Sequence, residues 1–428
     1  HLLSKDKSAG IAVAYGQNKT FTGRSIRGRC SSLSLTIEFL KVNMKGWVKP
    51  AFSCIWGSFV KVLFVHRKGI FRFKGGEQDQ IINTRDVLAR MGIAIDLVDT
   101  IDTSRIATYD VIHFFGLDAG HIQEIKAASK APKVLTPVFW DRAQGYLFDT
   151  EFERWLRPGK ELLDNFLYFL SDISGNRNRR IAKVCRTHFY KMLHKYAQFQ
   201  SVIDDIQLFL PNSESEMNAL RTFYVMSSPP LYRIVPNAVN LQSLDVMSDY
   251  AQKHLPKDTP FICCSGGIDR RKNQFSLVRA MVGIDVPLVI AGVIRDRRYT
   301  QAVRRAASHT KNTIFTGHLE QPDLQSVYEM AAVHVLPSFH DTPGIASLEA
   351  VAHKCANVGT QIGGLREYLG DYSLYCNPFS VEHIREQTVK ALNQPPNEKG
   401  FALVRSKYTY EQAAEATLNG YKLLLDGA

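Results

Sequence analysis

The sequence of residues 333–352 has the pattern of a buried strand, a loop and a helix in direct succession. The apolar run at 333–336 is typical of a buried strand, and the pattern from 347 to 352 predicts a helix. A strand followed by a helix indicates an open α/β sheet, whose ligands bind beyond the carboxyl ends of the strands. We therefore expect Asp341 at the ligand-binding edge of a sheet and Glu349 in the helix that follows it.

The loop and the helix carry the groups that a nucleotide diphosphate requires. Backbone N–H groups of Gly344 and Ile345, near the predicted helix N-terminus, would suit a phosphate. A carboxylate in the first turns of the helix, Glu349, could hold a ribose by its hydroxyls. These residues, together with Thr342 in the same loop, are therefore candidates for binding a nucleotide donor.

The segment from Asp341 to Glu349 resembles the acidic-x7-Glu motif of retaining glycosyltransferases of family 4. That family usually has Glu where this chain has Asp341, and Gly-Phe-Gly where it has Thr342-Pro343-Gly344. The resemblance implies the GT-B fold, an α/β architecture of two Rossmann-like domains that face each other across a cleft. It further implies that a sugar moves from a nucleotide donor to a hydroxyl with retention, and that Asp341 is catalytic.

Two glycine-containing turns add to the resemblance. Gly76, in Gly75-Gly76-Glu77, looks like the family's Gly-Gly turn over the donor diphosphate, although any tight turn would use such a pair. The segment 266–273 looks like the family's Gly-Arg-x(n)-Lys-Asn element, with Gly267 where the family has Arg. Its candidate residues for the donor are Gly266, Arg270, Arg271, Lys272 and Asn273.

Cations in this second turn could neutralise the diphosphate as the sugar leaves. We expect Lys272 to do so as a catalytic residue, whereas Arg270 and Arg271 rank equally and could both be solvated surface residues. The family resemblance also places His318 in a loop that borders the nucleotide base.

Two further candidates follow predicted strands in the first half of the chain. His113 and Asp141 are expected at strand carboxyl ends facing the cleft. An acceptor hydroxyl needs a hydrogen-bond acceptor nearby, which favours Asp141 as a catalytic group. For His113, a histidine satisfied by backbone groups is an equally good interpretation.

The patterns divide the chain into four parts. The element at 233–240 resembles the family's Ile-Pro-Asn-Gly-Val-Asp sequence, which ends the first domain. The predicted parts are a poorly ordered basic extension at 1–58, an acceptor domain at 59–240, a nucleotide-sugar donor domain at 241–405, and a closing helix at 406–428 that crosses back to the first domain. A nucleic-acid arm or a targeting peptide is an alternative for the extension.

The balance of charge favours acidic partners. The net charge of the 428 residues is +12, which suits nucleic acid, anionic lipid or phosphorylated substrates. Basic and apolar residues alternate at 177–195, a composition typical of a helix on an anionic membrane, although a solvated helix face is the commoner case. Because family 4 enzymes extend lipid-linked sugars at the inner leaflet, we expect a cytoplasmic enzyme peripheral to that membrane, and no nucleic-acid partner.

No metal or cofactor is expected. The chain has no Asp-x-Asp sequence to clamp a metal on the diphosphate, so Lys272, the Gly344 N–H region and a helix dipole would carry that charge. The seven cysteines show no Cys-x-x-Cys spacing and fit a reducing compartment. Two alternatives stay open, namely other GT-B chemistry, such as a nucleotide-sugar epimerase or a phosphorylase, and a non-catalytic sugar-nucleotide-binding protein.

Overall fold

Two parallel sheets with helices packed against them make up the part of the chain that the structure describes. In this computed structural model, the residues described are 60–72, 75–128, 131–139, 198–257 and 259–426. All of them belong to one unit, Ser58–Ala428. The predicted extension at 1–58, the candidate Asp141 and the basic stretch at 177–195 lie outside the described residues.

The first sheet has the strand order β2-β1-β3-β4-β5, and every pair of neighbours is parallel. Its strands are β1 (Lys61–His66), β2 (Ala94–Val98), β3 (Val111–Phe115), β4 (Lys133–Thr136) and β5 (Leu208–Phe209). Among the described residues, the helices of this half are α1 (Gly76–Arg90), α2 (His121–Ala127) and α3 (Glu214–Phe223). β4 ends before Pro137, which has no N–H to continue the ladder.

The second sheet has the order β11-β10-β9-β6-β7-β8 and is also parallel throughout. Its strands are β6 (Ile262–Ser265), β7 (Leu288–Ala291), β8 (Thr313–Gly317), β9 (Val333–Leu336), β10 (Ala356–Thr360) and β11 (Leu374–Cys376). The helices of this half are α4 (Leu241–Leu244), α5 (Tyr250–His254), α6 (Gln274–Ala280), α7 (Arg297–Ala307), α8 (Gln321–Met330), α9 (Ile345–Val351), α10 (Leu365–Leu369), α11 (Val381–Leu392) and α12 (Glu398–Lys407).

The last helix, α13 (Tyr410–Asp426), returns to the first sheet. Its buried residues, among them Tyr410 and Tyr421, share one apolar cluster with Val62 and Phe64 of β1. Burial of these large side chains removes extensive apolar surface from water and fixes the helix to that sheet.

Each sheet has one topological switch point, where the connections from two adjacent strands lead to opposite sides of the sheet. In the first sheet it lies between β1 and β3, and in the second between β6 and β9. The loops that leave two such strands run to opposite faces of the sheet and open a crevice at its carboxyl edge, where α/β proteins bind ligands. Among the described residues, no helix is long and apolar enough to span a bilayer.

Candidate active site

The loop after β6 aims a short basic turn at the crevice of the second sheet. Residues Arg270–Lys272 form one turn of 3-10 helix, and the Asp269 side chain caps it by accepting from the Lys272 N–H at 3.1 Å. Asn273 follows in a left-handed conformation, and its amide donates to the carbonyls of Pro337 and Pro378. Asn273 therefore binds this turn to the loop after β9.

Asp341, in the loop after β9, holds two of these cations. Its carboxylate accepts from Lys272 Nζ at 2.5 Å and from Arg271 Nη1 at 3.2 Å. Ser338 Oγ donates to the same carboxylate at 3.0 Å. Burial by itself would raise the pKa of Asp341, but the two cations and these hydrogen bonds outweigh it and hold that pKa well below its usual range. Asp341 is therefore an anion at neutral pH.

Lys272 is buried, as few lysines are. Burial lowers the pKa of Lys272, whereas the adjacent Asp341 carboxylate raises it. Asp341 thus keeps a cation charged inside the protein, next to the crevice. Arg271 and Lys272 share the single Asp341 carboxylate, so these two side chains together carry one more positive charge than Asp341 neutralises.

The helix α9 begins directly after this loop. Gly344 precedes it with φ +83°, a left-handed conformation that favours glycine. A Cβ on Gly344 would lie 3.7 Å from an Asp341 carboxylate oxygen. The helix has seven residues, so its dipole adds less charge than the sequence led us to expect, and Lys272 and Arg271 are the stronger groups for a phosphate.

Glu349 lies in α9, within 3.5 Å of the Tyr328 hydroxyl. Burial and the carboxylate of Asp79, on α1 of the first half, raise the pKa of Glu349 to about 7. Both forms of this carboxyl group are therefore populated near neutral pH. Ionised Glu349 could accept hydrogen bonds from the two hydroxyls of a ribose, as the sequence predicted.

The first half meets α9 at the N-terminus of α1. A Cβ on Gly76 would lie 2.7 Å from Ile345 Cδ1, so the backbone of the Gly75-Gly76 turn approaches the first residue of α9 closely. The crevices of the two sheets therefore open towards each other. The contact of Gly76 with a donor diphosphate stays a prediction.

A group 1 glycosyl transferase family model matches residues 247–406. That range contains Lys272, Asp341 and Glu349. This part of the chain is similar to the group 1 glycosyl transferases, which supports the predicted family at the level of this group.

The relatives of this chain include mannosyltransferases. The Escherichia coli serotype-specific mannosyltransferase WbdA is 30% identical over 181 residues, which cover 39% of this chain and 22% of the relative. The Escherichia coli O-antigen chain mannosyltransferase B is 28% identical over 115 residues, which cover 26% of this chain and 30% of the relative. The matches thus span less than a third of the length of either relative.

Solved glycosyltransferases share the fold of nearly the whole chain. A sucrose-phosphate synthase from Thermosynechococcus elongatus has a TM-score of 0.63 at 16% identity, covering 87% of this chain and 100% of that one. The Anabaena protein HepE in complex with UDP and glucose has a TM-score of 0.58 at 12% identity, covering 85% and 100%. These likenesses confirm the predicted GT-B fold.

The structure corrects the prediction made for His113. This residue lies in the middle of β3 and not at its carboxyl end, and it is buried. Its Nδ1 and Nε2 atoms are 2.7 Å from the Tyr421 hydroxyl and 2.8 Å from Thr136 Oγ1. Burial lowers the pKa of His113 to about 3. It is a neutral core histidine, and the expectation that it faces the cleft is wrong.

The two arginines that the sequence ranked equally have different partners. Arg271 bonds to Asp341, whereas Arg270 Nε lies 3.3 Å from a carboxylate oxygen of Asp296. His318 follows β8, is exposed, and lies 3.2 Å from Glu320. Its contact with a nucleotide base stays a prediction.

Glu367 and Tyr368, which were not among the predicted site residues, join the two halves by hydrogen bonds. Glu367 of α10 accepts from the backbone N–H groups of Glu214 and Ser215, both at 2.8 Å, at the start of α3. The neighbouring Tyr368 hydroxyl donates to Asn212 O at 2.7 Å and accepts from Asn237 N at 2.8 Å. A glutamate that caps a helix of the other half has no local sequence signal.

Glu77, in the first turn of α1, is a second residue without such a signal. It pairs with Arg67 at the carboxyl edge of the first sheet. Its Oε1 atom is buried and has no hydrogen-bond partner among the described residues, and a Cβ on Gly116 would lie 3.4 Å from it. Burial raises the pKa of Glu77 although Arg67 opposes it. A carboxylate here could accept from an acceptor hydroxyl.

Proposed function

We propose that this glycosyltransferase moves a hexose from a nucleoside-diphosphate sugar to a hydroxyl acceptor with retention at the anomeric carbon. The main support for this proposal is that Lys272 and Arg271 both form ion pairs with Asp341 at the crevice between β6 and β9. Negative charge develops on the diphosphate as its bond to the sugar breaks. Fixed cations beside that oxygen stabilise the transition state without having to reorganise.

Asp341 acts in this proposal through the cations that it orients. Its carboxylate is ionised and bonded to Lys272, Arg271 and Ser338, so it cannot donate a proton at neutral pH. The departing diphosphate oxygen takes the proton of the acceptor hydroxyl on the same face of the sugar. This last step follows from the resemblance to family 4.

The donor charge is carried without a metal ion in this proposal. Support comes from the excess positive charge of the turn Arg270–Lys272 over Asp341 and from the missing Asp-x-Asp sequence. Glu349 holds the ribose from α9, and the Gly344 to Ile345 backbone lies beside the phosphates.

We further propose that the acceptor is a glycan in polysaccharide or glycolipid synthesis, carried on a lipid at the inner face of the cytoplasmic membrane. The names of the two Escherichia coli mannosyltransferases support a growing glycan as the acceptor and mannose as one sugar to test. The basic stretch at 177–195 supports attachment to an anionic surface.

A panel of nucleotide sugars tests the reaction. Release of nucleoside diphosphate from UDP- and GDP-linked hexoses should be followed with and without glycan acceptors, and the products identified by NMR. Transfer to a hydroxyl supports the proposal. An epimerised sugar in place of a transferred one indicates an epimerase, dependence on free phosphate a phosphorylase, and tight donor binding without turnover a binding protein.

A further inference from the structure

Two adjacent glycines at the carboxyl end of β6 are each covered by the stem of a basic side chain. A Cβ on Gly266 would lie 3.5 Å from Lys272 Cε. A Cβ on Gly267 would lie 2.6 Å from Arg295 Cδ and 2.5 Å from its Nε. Since real Cβ atoms do not come so close to other heavy atoms, Arg295 occupies the space of a side chain at position 267.

The backbone brings Arg295 to that place by extending the sheet. Beyond β6 and β7, Ile268 N donates to Val293 O at 2.8 Å, and Arg295 N donates to Ile268 O at 3.2 Å. Gly292 permits the close approach, because a Cβ there would lie 1.9 Å from Gly266 O. Arg295 is therefore carried by a paired backbone segment and not by a free loop.

Arg295 has no carboxylate partner among the described residues, unlike the three basic residues of the turn. Arg270 is paired with Asp296, and Arg271 and Lys272 share Asp341. The Arg295 side chain is exposed, and no carboxylate of the described residues forms an ion pair with it. A guanidinium presents several N–H donors in a plane that matches two phosphate oxygens.

We propose that Arg295 binds the diphosphate of the donor. Its side chain reaches over Gly267, where the β6 loop has no side chain of its own. This inference rests on the proposed function and names a residue of the same site. It explains why the chain resembles a Gly-Arg element yet has Gly267 in place of the arginine: the guanidinium is supplied from the β7 loop, and a side chain at 267 would displace it.

Binding of nucleoside phosphates to the full chain tests the assignment. UDP, GDP, UMP and GMP should be titrated calorimetrically against the parent protein, Arg295→Ala, and the control Arg298→Ala, which removes a neighbouring exposed arginine. Losing charge-assisted hydrogen bonds should weaken diphosphate binding by roughly 10- to 100-fold in Arg295→Ala. Monophosphate binding should change much less, and Arg298→Ala should behave like the parent.

A second experiment moves the arginine from position 295 to position 267. Gly267→Arg combined with Arg295→Ala should recover most of the lost diphosphate affinity, because the guanidinium then comes from the β6 loop. If Arg295→Ala binds diphosphates as the parent does, Arg295 has no such role. If the parent binds no nucleoside diphosphate at all, the proposed function falls and this inference falls with it, whereas parent binding with an unchanged variant overturns the inference alone.

Discussion

At the scale of single residues, the site depends on a buried lysine that a carboxylate keeps charged. Lys272 and Asp341 come from loops after different strands, and each would be costly to bury alone. Together with Arg271 they place net positive charge at the crevice of the second sheet. The same pairing explains why the site can meet a diphosphate with groups that are already oriented.

Removing the lysine should impair catalysis more than folding. Lys272→Ala is expected to lower kcat/KM for the donor. The fall should correspond to about 2–4 kcal/mol of lost transition-state stabilisation, the effect of losing one preorganised group beside a developing charge. Steady-state kinetics at saturating acceptor measure this loss. Lys311→Ala is the matched control, because Lys311 pairs with Asp285 where both side chains are exposed, and it should leave kcat/KM unchanged. Normal kinetics in a folded Lys272→Ala protein would refute the role.

Glu349 should make nucleotide affinity depend on pH. Its pKa is raised to about 7, so the ionised fraction that can accept from both ribose hydroxyls rises from about 10% at pH 6 to about 90% at pH 8. We expect diphosphate affinity to rise over this interval. Glu349→Gln should bind more weakly at pH 8 and show a flatter profile in calorimetric titrations.

The comparison with Glu349→Gln distinguishes the titration of Glu349 from that of the ligand phosphates, because the phosphates titrate in the same way with both proteins. Parallel profiles for parent and variant would show that Glu349 does not hold the ribose. For the free protein the sign is opposite: a raised carboxyl pKa contributes stability below pH 4.5 that is lost as pH rises through 7.

At the scale of elements, the sequence predicted those features that depend on neighbours in the chain. The apolar run of β9 and the glycine before α9 are both local. Features that join distant segments were not predictable. The partner of His113 is Tyr421, 308 residues away, and the choice between Arg270 and Arg271 depends on how Asp269 caps their turn.

The corrected position of His113 has a measurable consequence. His113→Ala removes a buried ring between β3 and α13, and should lower the free energy of unfolding by about 2–4 kcal/mol. Chemical denaturation measures this change. Because His113 is a core residue, kcat/KM of the folded variant should match that of the parent. A fully folded variant with sharply lower turnover would restore the catalytic interpretation.

At the scale of the whole molecule, the two halves present their crevices to one another and the chain carries a net charge of +12. Gly76 of the first half touches Ile345 of the second, and Glu367 and Tyr368 bind the second half to the loop and helix after β5. In the proposed reaction, a donor held on the second sheet would thereby be brought to an acceptor on the first. Excess positive charge would hold the enzyme near an anionic membrane.

Binding to liposomes tests that attachment. Each basic residue close to an anionic leaflet contributes about 1 kcal/mol, so changing Arg179, Arg180 and Lys183 to Gln should release the protein from anionic vesicles. Binding of the parent should weaken as salt rises, and neutral vesicles should bind poorly. The control changes Arg298, Lys311 and Lys399 to Gln, an equal loss of charge elsewhere. If both triple variants sediment alike, the stretch at 177–195 is only a solvated face.

The proposed role of the Asp341 and Lys272 pair is to serve transfer from a nucleotide sugar without a metal. Its most direct test is turnover of the preferred donor in EDTA by the parent, Asp341→Ala and the isosteric Asp341→Asn, with donor affinity measured on the same preparations. We predict full parent activity in EDTA. In both variants kcat should fall by about 10²- to 10³-fold with a much smaller change in donor affinity. Parent activity that requires Mg²⁺ or Mn²⁺, or folded variants that turn over normally, would contradict the claim.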